Sequence, residues 1–438
     1  MHHLEEHETT LFAAGPCWRN TIVTTQCKNA CMTYNEYVEE AARYSDILSG
    51  IRRELHQMPE FGLDNPKSTE RCLASVDGLG EVFRSQRTSG AALLIRGEQP
   101  GPTVLLRTDT DALAVVEDTG LDFASTNGFM HACGHDLHMA MAIGAAHLLH
   151  THRDRLKGNV VIWFQPGEEG HGGADVMLEE GLHLVSGELP IAAYGIHVFS
   201  SYPLGIFGSR PGPLMASAGG MTVTFKGQGG HGSMPWLSRD PIAPMAEVMQ
   251  ALQTTVAKKI SAFEPVVINI GWVKAGDDHT ENVIPEVAQF GATIRTFSDA
   301  ITEQVRAAVR ELLAGVAAAH GVSAEGEFHP FTKVLMNDPK AIDRVERIVD
   351  SSFGRLPNGA SRYVDLEHPI TGGEDFASVL KEMPGAFVFM GACPPDRDHT
   401  KAETNHSNKA VFDDSNLSDG SALLAALAFD TLDEAAAN

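Results

Sequence analysis

Apolar positions follow two alternating rhythms along this chain, a helical one of three to four residues and short unbroken runs that read as buried strands. From Tyr37 to about Gln57 the spacing is that of a helix. Thr103-Val104-Leu105-Leu106-Arg107 is a buried strand that stops at Asp109-Thr110-Asp111. Asp136 to His152, rich in Ala, Met and Leu, predicts a second helix, and strands are expected at 159–164 and at 192–198, the latter ending on His197. Strands alternating with helices, with polar residues gathered where the strands stop, specify an α/β sheet that carries its site along one edge.

The rhythm changes near Ala218. Strand, helix, two strands, helix and strand follow at 221–226, 241–259, 266–273, 286–296, 300–320 and 322–328. That β-α-β-β-α-β order is a ferredoxin-like unit of roughly a hundred residues, the size of one small domain. The α/β pattern resumes after Pro330, with a helix near 340–353, a Gly-rich run at 371–376, a strand at 386–390 and a loop holding His406. A tail this short cannot close a core alone and is expected to rejoin the first sheet. The expected division is therefore an extension at 1–31, a catalytic domain in two parts at 32–216 and 330–438, and an inserted unit at 217–329.

Composition narrows the partners. The chain has 438 residues, 43% of them hydrophobic, enough for two to three domains with sizeable cores. Lys and Arg total 33 against 57 Asp and Glu, a net charge of -24 that repels nucleic acid and anionic membranes. Small molecules are the expected ligands. Three of the six cysteines fall in the first 31 residues and Cys72, Cys133 and Cys393 are scattered, which is no disulfide framework. With no secretory signal and no apolar run of membrane-spanning length, the expected location is cytoplasmic. A Cys/His metal site made by His2, His3, Cys17, Cys27 and Cys31 is the rival reading of the extension, but it lacks a second compact ligand pair.

The chemistry concentrates in two segments, His131-Ala132-Cys133-Gly134-His135-Asp136 and Phe164-Gln165-Pro166-Gly167-Glu168-Glu169-Gly170. A thiolate, an imidazole and two carboxylates are the donors a borderline-soft divalent metal prefers. Cys133 just before a helix should have its thiol pKa lowered by the helix N-terminus. Asp136 can cap that helix or orient an imidazole. In an extended backbone Glu168 and Glu169 point to opposite sides, so one can bind metal while the other faces a water. Each feature has a plainer reading: a buried structural Cys, a solvated acidic turn, a satisfied core His among 20.

Six motifs occur in order: Leu106-Arg107-Thr108-Asp109-Thr110-Asp111-Ala112-Leu113, the two segments above, Gly195-Ile196-His197-Val198, Asn282-Val283-Ile284-Pro285 and Gly372-Gly373-Glu374-Asp375-Phe376. From about Ile51 onward the chain resembles the metal-dependent amidohydrolases that include hippurate hydrolases, N-acyl-amino-acid aminoacylases and auxin-conjugate hydrolases, relatives of dinuclear zinc carboxypeptidases. The resemblance implies a zinc-peptidase-like α/β catalytic domain with an inserted ferredoxin-like lid that also dimerises. It implies two divalent ions, zinc with manganese or cobalt as alternatives, bound by Cys133, His135, Glu169, His197 and His406, with Cys133 bridging and Glu168 as general base and acid. Asp109, Asp111 and Asp136 would hold the ligands in place. His231 and Asn282 would reach a neighbouring active site, Arg295 would pair with a substrate carboxylate, and Gly372 and Gly373 would touch substrate.

The implied reaction is hydrolysis of N-acyl-L-amino acids, with bacterial Nα-acylglutamine aminoacylases as the finer resemblance. A dipeptidase or carboxypeptidase on the same scaffold and a metal-free thiol hydrolase using Cys133 are the alternatives. The chain departs from the family at Trp236, where relatives commonly carry His, at Gly219 in place of a frequent Asp, and at Asn408, where Pro often stands.

Overall fold

The computed structural model describes residues 34–329 and 332–437. The first 31 residues, with the rival Cys/His site, lie outside the described residues. Four parallel strands form the middle of an eight-stranded sheet, in the order Lys157–Gln165, Gln99–Asp109, Ala192–Pro203 and Gly385–Cys393. Glu81–Arg84 and Ala91–Arg96 add antiparallel strands at one edge, and Phe207–Ser209 and Tyr363–Asp365 complete the other. The central strands are near-continuous apolar runs because both faces are covered.

One face packs on the helices His135–Thr151, Leu417–Ala437, Ser45–His56 and Pro339–Ser352, the other on Gly173–Glu179 and Phe376–Glu382. The chain after Pro330 thus rejoins the first sheet. The apolar Leu417–Ala437 helix, absent from the sequence reading, lies buried against His135–Thr151.

Residues 217–328 form a four-stranded antiparallel sheet in the order Val266–Ala275, Val287–Thr296, Ser217–Lys226, Ser323–Phe328. Helices Ile242–Lys259 and Asp299–His320 cover one face with a core that includes Val223, Phe225, Phe290 and Ile294. The element order is β-α-β-β-α-β, as the apolar rhythm predicts. The opposite face looks into a cavity of about 700 Å³ whose other wall is the carboxyl end of the parallel strands, where open α/β sheets bind ligands. Among the described residues no helix is long and apolar enough to cross a membrane.

Candidate metal centre

Cys133 reaches the cavity floor through a tight turn. Gly134 has φ +87°, and a Cβ there would lie 2.4 Å from Val198, so only glycine lets the turn pack against the strand that carries His197. The Cys133 Sγ then stands 3.3 Å from His197 Nε2 and 3.3 Å from His406 Nε2, and His406 Nε2 stands 3.2 Å from Glu169 Oε1. Two triads of donor atoms share the thiol, Cys133 with His135 and His197, and Cys133 with Glu169 and His406.

The imidazoles are oriented from behind. His197 Nδ1 donates to the Val198 carbonyl at 2.9 Å and His135 Nδ1 to the Asp111 carbonyl at 2.8 Å, which leaves each Nε2 lone pair facing the thiol side. The Asp111 carboxylate accepts the Glu169 backbone N–H at 3.0 Å. Asp109 accepts from His138 Nδ1 at 2.7 Å, and His138 Nε2 in turn accepts the Val198 N–H at 2.9 Å, which ties Asp109 to the strand bearing His197. His138 was not singled out in the sequence, although it falls three residues after His135 on one helix face.

These donors suit divalent cations. His135 Nε2 is buried with no hydrogen-bond partner, an orphan that a bound cation would satisfy. Burial works against a charge on His135, yet Asp109, Asp111 and Cys133 together hold it well above the usual imidazole range. Contacts with Cys133 and Glu169 raise His406 to about 10. Both positions therefore attract positive charge. His406 is also the one non-glycine residue with positive φ among the described residues, at +72°.

Several expectations are corrected. Burial, then Glu169, pushes the Cys133 thiol up rather than down, because desolvation of a buried sulfur outweighs a helix terminus. Asp136 lies next to His135 in sequence, but successive helical residues diverge by about 100°, so its carboxylate meets Arg52 Nε at 2.7 Å and His56 Nδ1 at 2.8 Å and touches none of the expected ligands. It does not cap the helix either, for no side-chain cap bond exists there. Residues 168–170 form a turn rather than extended chain, although both carboxylates line the cavity. His197 sits within the strand, which continues to Pro203. It faces the cavity, and pairing with the Gln99–Asp109 strand ends two residues earlier, at Gly195 opposite Arg107.

Glu168 is 8% exposed and close to Glu374 and Asp375. Burial, then Glu374, Glu169 and Asp375, holds it well above the usual carboxylate range. Arg107, fully enclosed, gathers this acidic group: it donates to Gln165 at 2.9 Å, Asp109 at 2.6 Å, Glu374 at 2.8 Å and Asp375 at 3.0 Å. Arg107, Glu374 and Asp375 belong to the sequence motifs at 106–113 and 372–376, and no local pattern in the sequence marks this role for them. Arg295, Gly372 and Gly373 line the same cavity. Arg295 donates only to the Gly219 and Ile294 carbonyls, at 3.2 and 3.0 Å. His231 and Asn282 do not line it; His231 sits on an exposed strand pair, Gly230–His231 with Val283–Ile284, and Asn282 in the turn just before Val283, where the Gly232 N–H donates to the Asn282 carbonyl at 2.7 Å.

The family model described as Peptidase family M20/M25/M40 matches residues 105–430. Over 361 residues the chain is 36% identical to an N-acetylcysteine deacetylase of Bacillus subtilis (strain 168), spanning 82% of this chain and 91% of that one. It is 34% identical over 394 residues to thermostable carboxypeptidase 1 of Saccharolobus solfataricus, spanning 87% and 95%. A crystal structure of a dinuclear metal-binding peptidase from Bacillus subtilis superposes with a TM-score of 0.75 at 31% identity, over 89% of this chain and 99% of that one. The chain belongs to the M20/M25/M40 peptidase family and is a metal-dependent hydrolase of amide bonds.

Proposed function

We propose that the chain hydrolyses the amide of N-acyl-L-amino acids, releasing a carboxylic acid and the free amino acid. The observation that carries this reading is one cavity with the shared-thiol cluster on one wall and, on the other, a guanidinium bonded only to backbone carbonyls. Cys133, His135, Glu169, His197 and His406 would hold two divalent ions, zinc by donor type. Such ions supply Lewis acidity, lowering the pKa of water and offsetting charge on the carbonyl oxygen. Glu168 would take the proton of the attacking water and return it to the departing nitrogen, a role its raised pKa suits. Asp111 would hold Glu169 and His135 in place, Asp109 would act on the His197 strand through His138, and Arg295 would receive the substrate carboxylate, whose planar geometry a guanidinium matches.

Residues 217–329 would act as a lid between the two catalytic parts, 32–216 and 330–438. His231 and Asn282 stand outside the cavity of their own chain, which supports their service to a neighbouring copy in a homodimer. The strand Val266–Ala275 is an open sheet edge that could pair there, with Val267 and Val273 exposed. A thiol hydrolase is disfavoured because the Cys133 Sγ is shared between two triads of metal-type donors rather than paired with a single imidazole.

Turnover of N-acetyl and N-benzoyl amino acids against free dipeptides, before and after chelation and with zinc, manganese or cobalt restored, tests the reading. Chelation should abolish activity, and Glu168→Gln should lower kcat by at least about 10²-fold with both ions retained. Glu169→Gln should instead lose metal. Activity that survives chelation, or faster turnover of dipeptides than of acylated amino acids, would replace the proposal. Mixing Glu168→Gln with His231→Ala chains should restore some activity if His231 serves across a dimer.

A further inference from the structure

The cavity wall formed by the four-stranded sheet carries a single tryptophan, and a bulge puts it there. Along Val266–Ala275, the side chains of Val266, Ile268 and Ile270 pack toward the helices. Strict alternation would send residue 272 the same way. Instead the register against Val287–Thr296 slips between Ile270 and Trp272, with Gly271 as the extra residue. One inserted residue inverts the alternation, so Trp272 turns to the cavity and Ala275 returns to the core.

The neighbouring strand makes room for it. Gly291 is the cross-strand partner of Trp272, and a Cβ there would lie 2.0 Å from the indole Nε1. The indole therefore rests directly over the Gly291 backbone, with 47% of the residue exposed. Arg295 lies four residues farther along the same strand, about 13 Å away, on the same face. Between them the floor is small, with Thr293 paired to Gly220. This wall thus has a guanidinium at one end and an open aromatic surface at the other.

In an N-acyl amino acid the acyl group is the part farthest from the carboxylate, whereas the side chain branches beside it. We infer that Trp272 is a specificity-determining residue that receives a flat apolar acyl group, benzoyl-like rather than acetyl, while Arg295 holds the carboxylate. The inference rests on the N-acyl-amino-acid reading above. The indole supplies a stacking surface of the kind aromatic groups prefer, and it is already half cleared of protein contacts.

The test compares kcat/KM of the metal-loaded enzyme on N-benzoyl-L-alanine, N-acetyl-L-alanine and N-acetyl-L-phenylalanine. The wild type should prefer the benzoyl substrate. Trp272→Ala should lose about tenfold or more on it, chiefly through KM, while N-acetyl-L-alanine stays within about twofold and so reports an intact fold and metal site. Trp272→Phe should recover most of the preference, and Gly291→Ala, which displaces the indole, should reproduce the loss. Equal changes on all three substrates, no change on any, or a loss confined to N-acetyl-L-phenylalanine would overturn the assignment to the acyl group. A wild type inactive on all three substrates would overturn the N-acyl reading and the Trp272 role with it.

Discussion

The wall at the ends of the parallel strands holds its groups by buried charge, whereas the four-stranded sheet opposite presents glycines, threonines and two large side chains that few protein groups restrain. On the first, Arg107 bonds four side chains, and the His135 and His197 imidazoles each have a fixed partner behind the ring. On the second, Arg295 bonds only backbone carbonyls and Trp272 rests on a glycine. Reacting groups need fixed geometry, and the charged wall supplies it at the cost of burying ionisable groups. Recognition groups gain from donors and surfaces left free for the ligand. Substrate preference should therefore vary by substitution on one wall with little effect on folding, while changes on the other threaten the fold itself.

Arg107→Met puts that contrast at its greatest risk. Removing the cation leaves Asp109, Glu374 and Asp375 buried together, and the unfolding free energy should fall by about 3 to 5 kcal/mol, read by denaturant titration. A loss below about 1 kcal/mol would mean that charge does not hold that wall. Arg295→Ala is the matching change opposite. It should lower kcat/KM for an N-acyl amino acid by about 10- to 100-fold, the worth of a charge-assisted contact, yet barely alter the rate on the carboxamide analogue or the stability. A destabilised Arg295→Ala would erase the distinction between the walls.

The smallest effect concerns the charged group behind the helix that starts at His135. Burial opposes a charge on His56, but Asp136 and Glu117 raise its pKa above 6.5. Its contribution is fully present below 6.5 and is lost as pH rises through the raised value. Glu117 is also resisted by burial, yet its contacts with His56 and Thr119 bring it down to about 2, so its contribution is present above 4.5 and lost as pH falls toward 2. The Tm should be highest between these limits. In His56→Gln the alkaline decline should flatten by a few degrees, and an unchanged pH profile would remove His56 from the stability of this wall.

Periodicity made the β-α-β-β-α-β unit legible with bounds within a few residues, because each strand there has one face on the helices and one open. It also made legible the strand ends that carry Asp109 and the Glu168-Glu169 turn. The strands 81–84 and 91–96 escaped notice: the first is short and mostly exposed, and the second is a run apolar on both sides. Arg107 escaped as a site residue because its partners Glu374 and Asp375 lie more than 260 positions away. Asp136 misled for the opposite reason, since adjacency in a helix separates side chains rather than joining them. The bulge at Gly271 was invisible because one extra residue leaves the apolar rhythm of Val266–Val273 almost unbroken.

His406 holds a left-handed backbone, φ +72°, at the position where the site needs an imidazole. A glycine would relieve strain there by about 1 kcal/mol or more and would remove, in the same step, the imidazole that meets Cys133 and Glu169. Directed evolution scored on the heat resistance of the metal-free protein would therefore reward His406→Gly, and a library pooled from such a screen would accumulate sturdy chains that lack this imidazole.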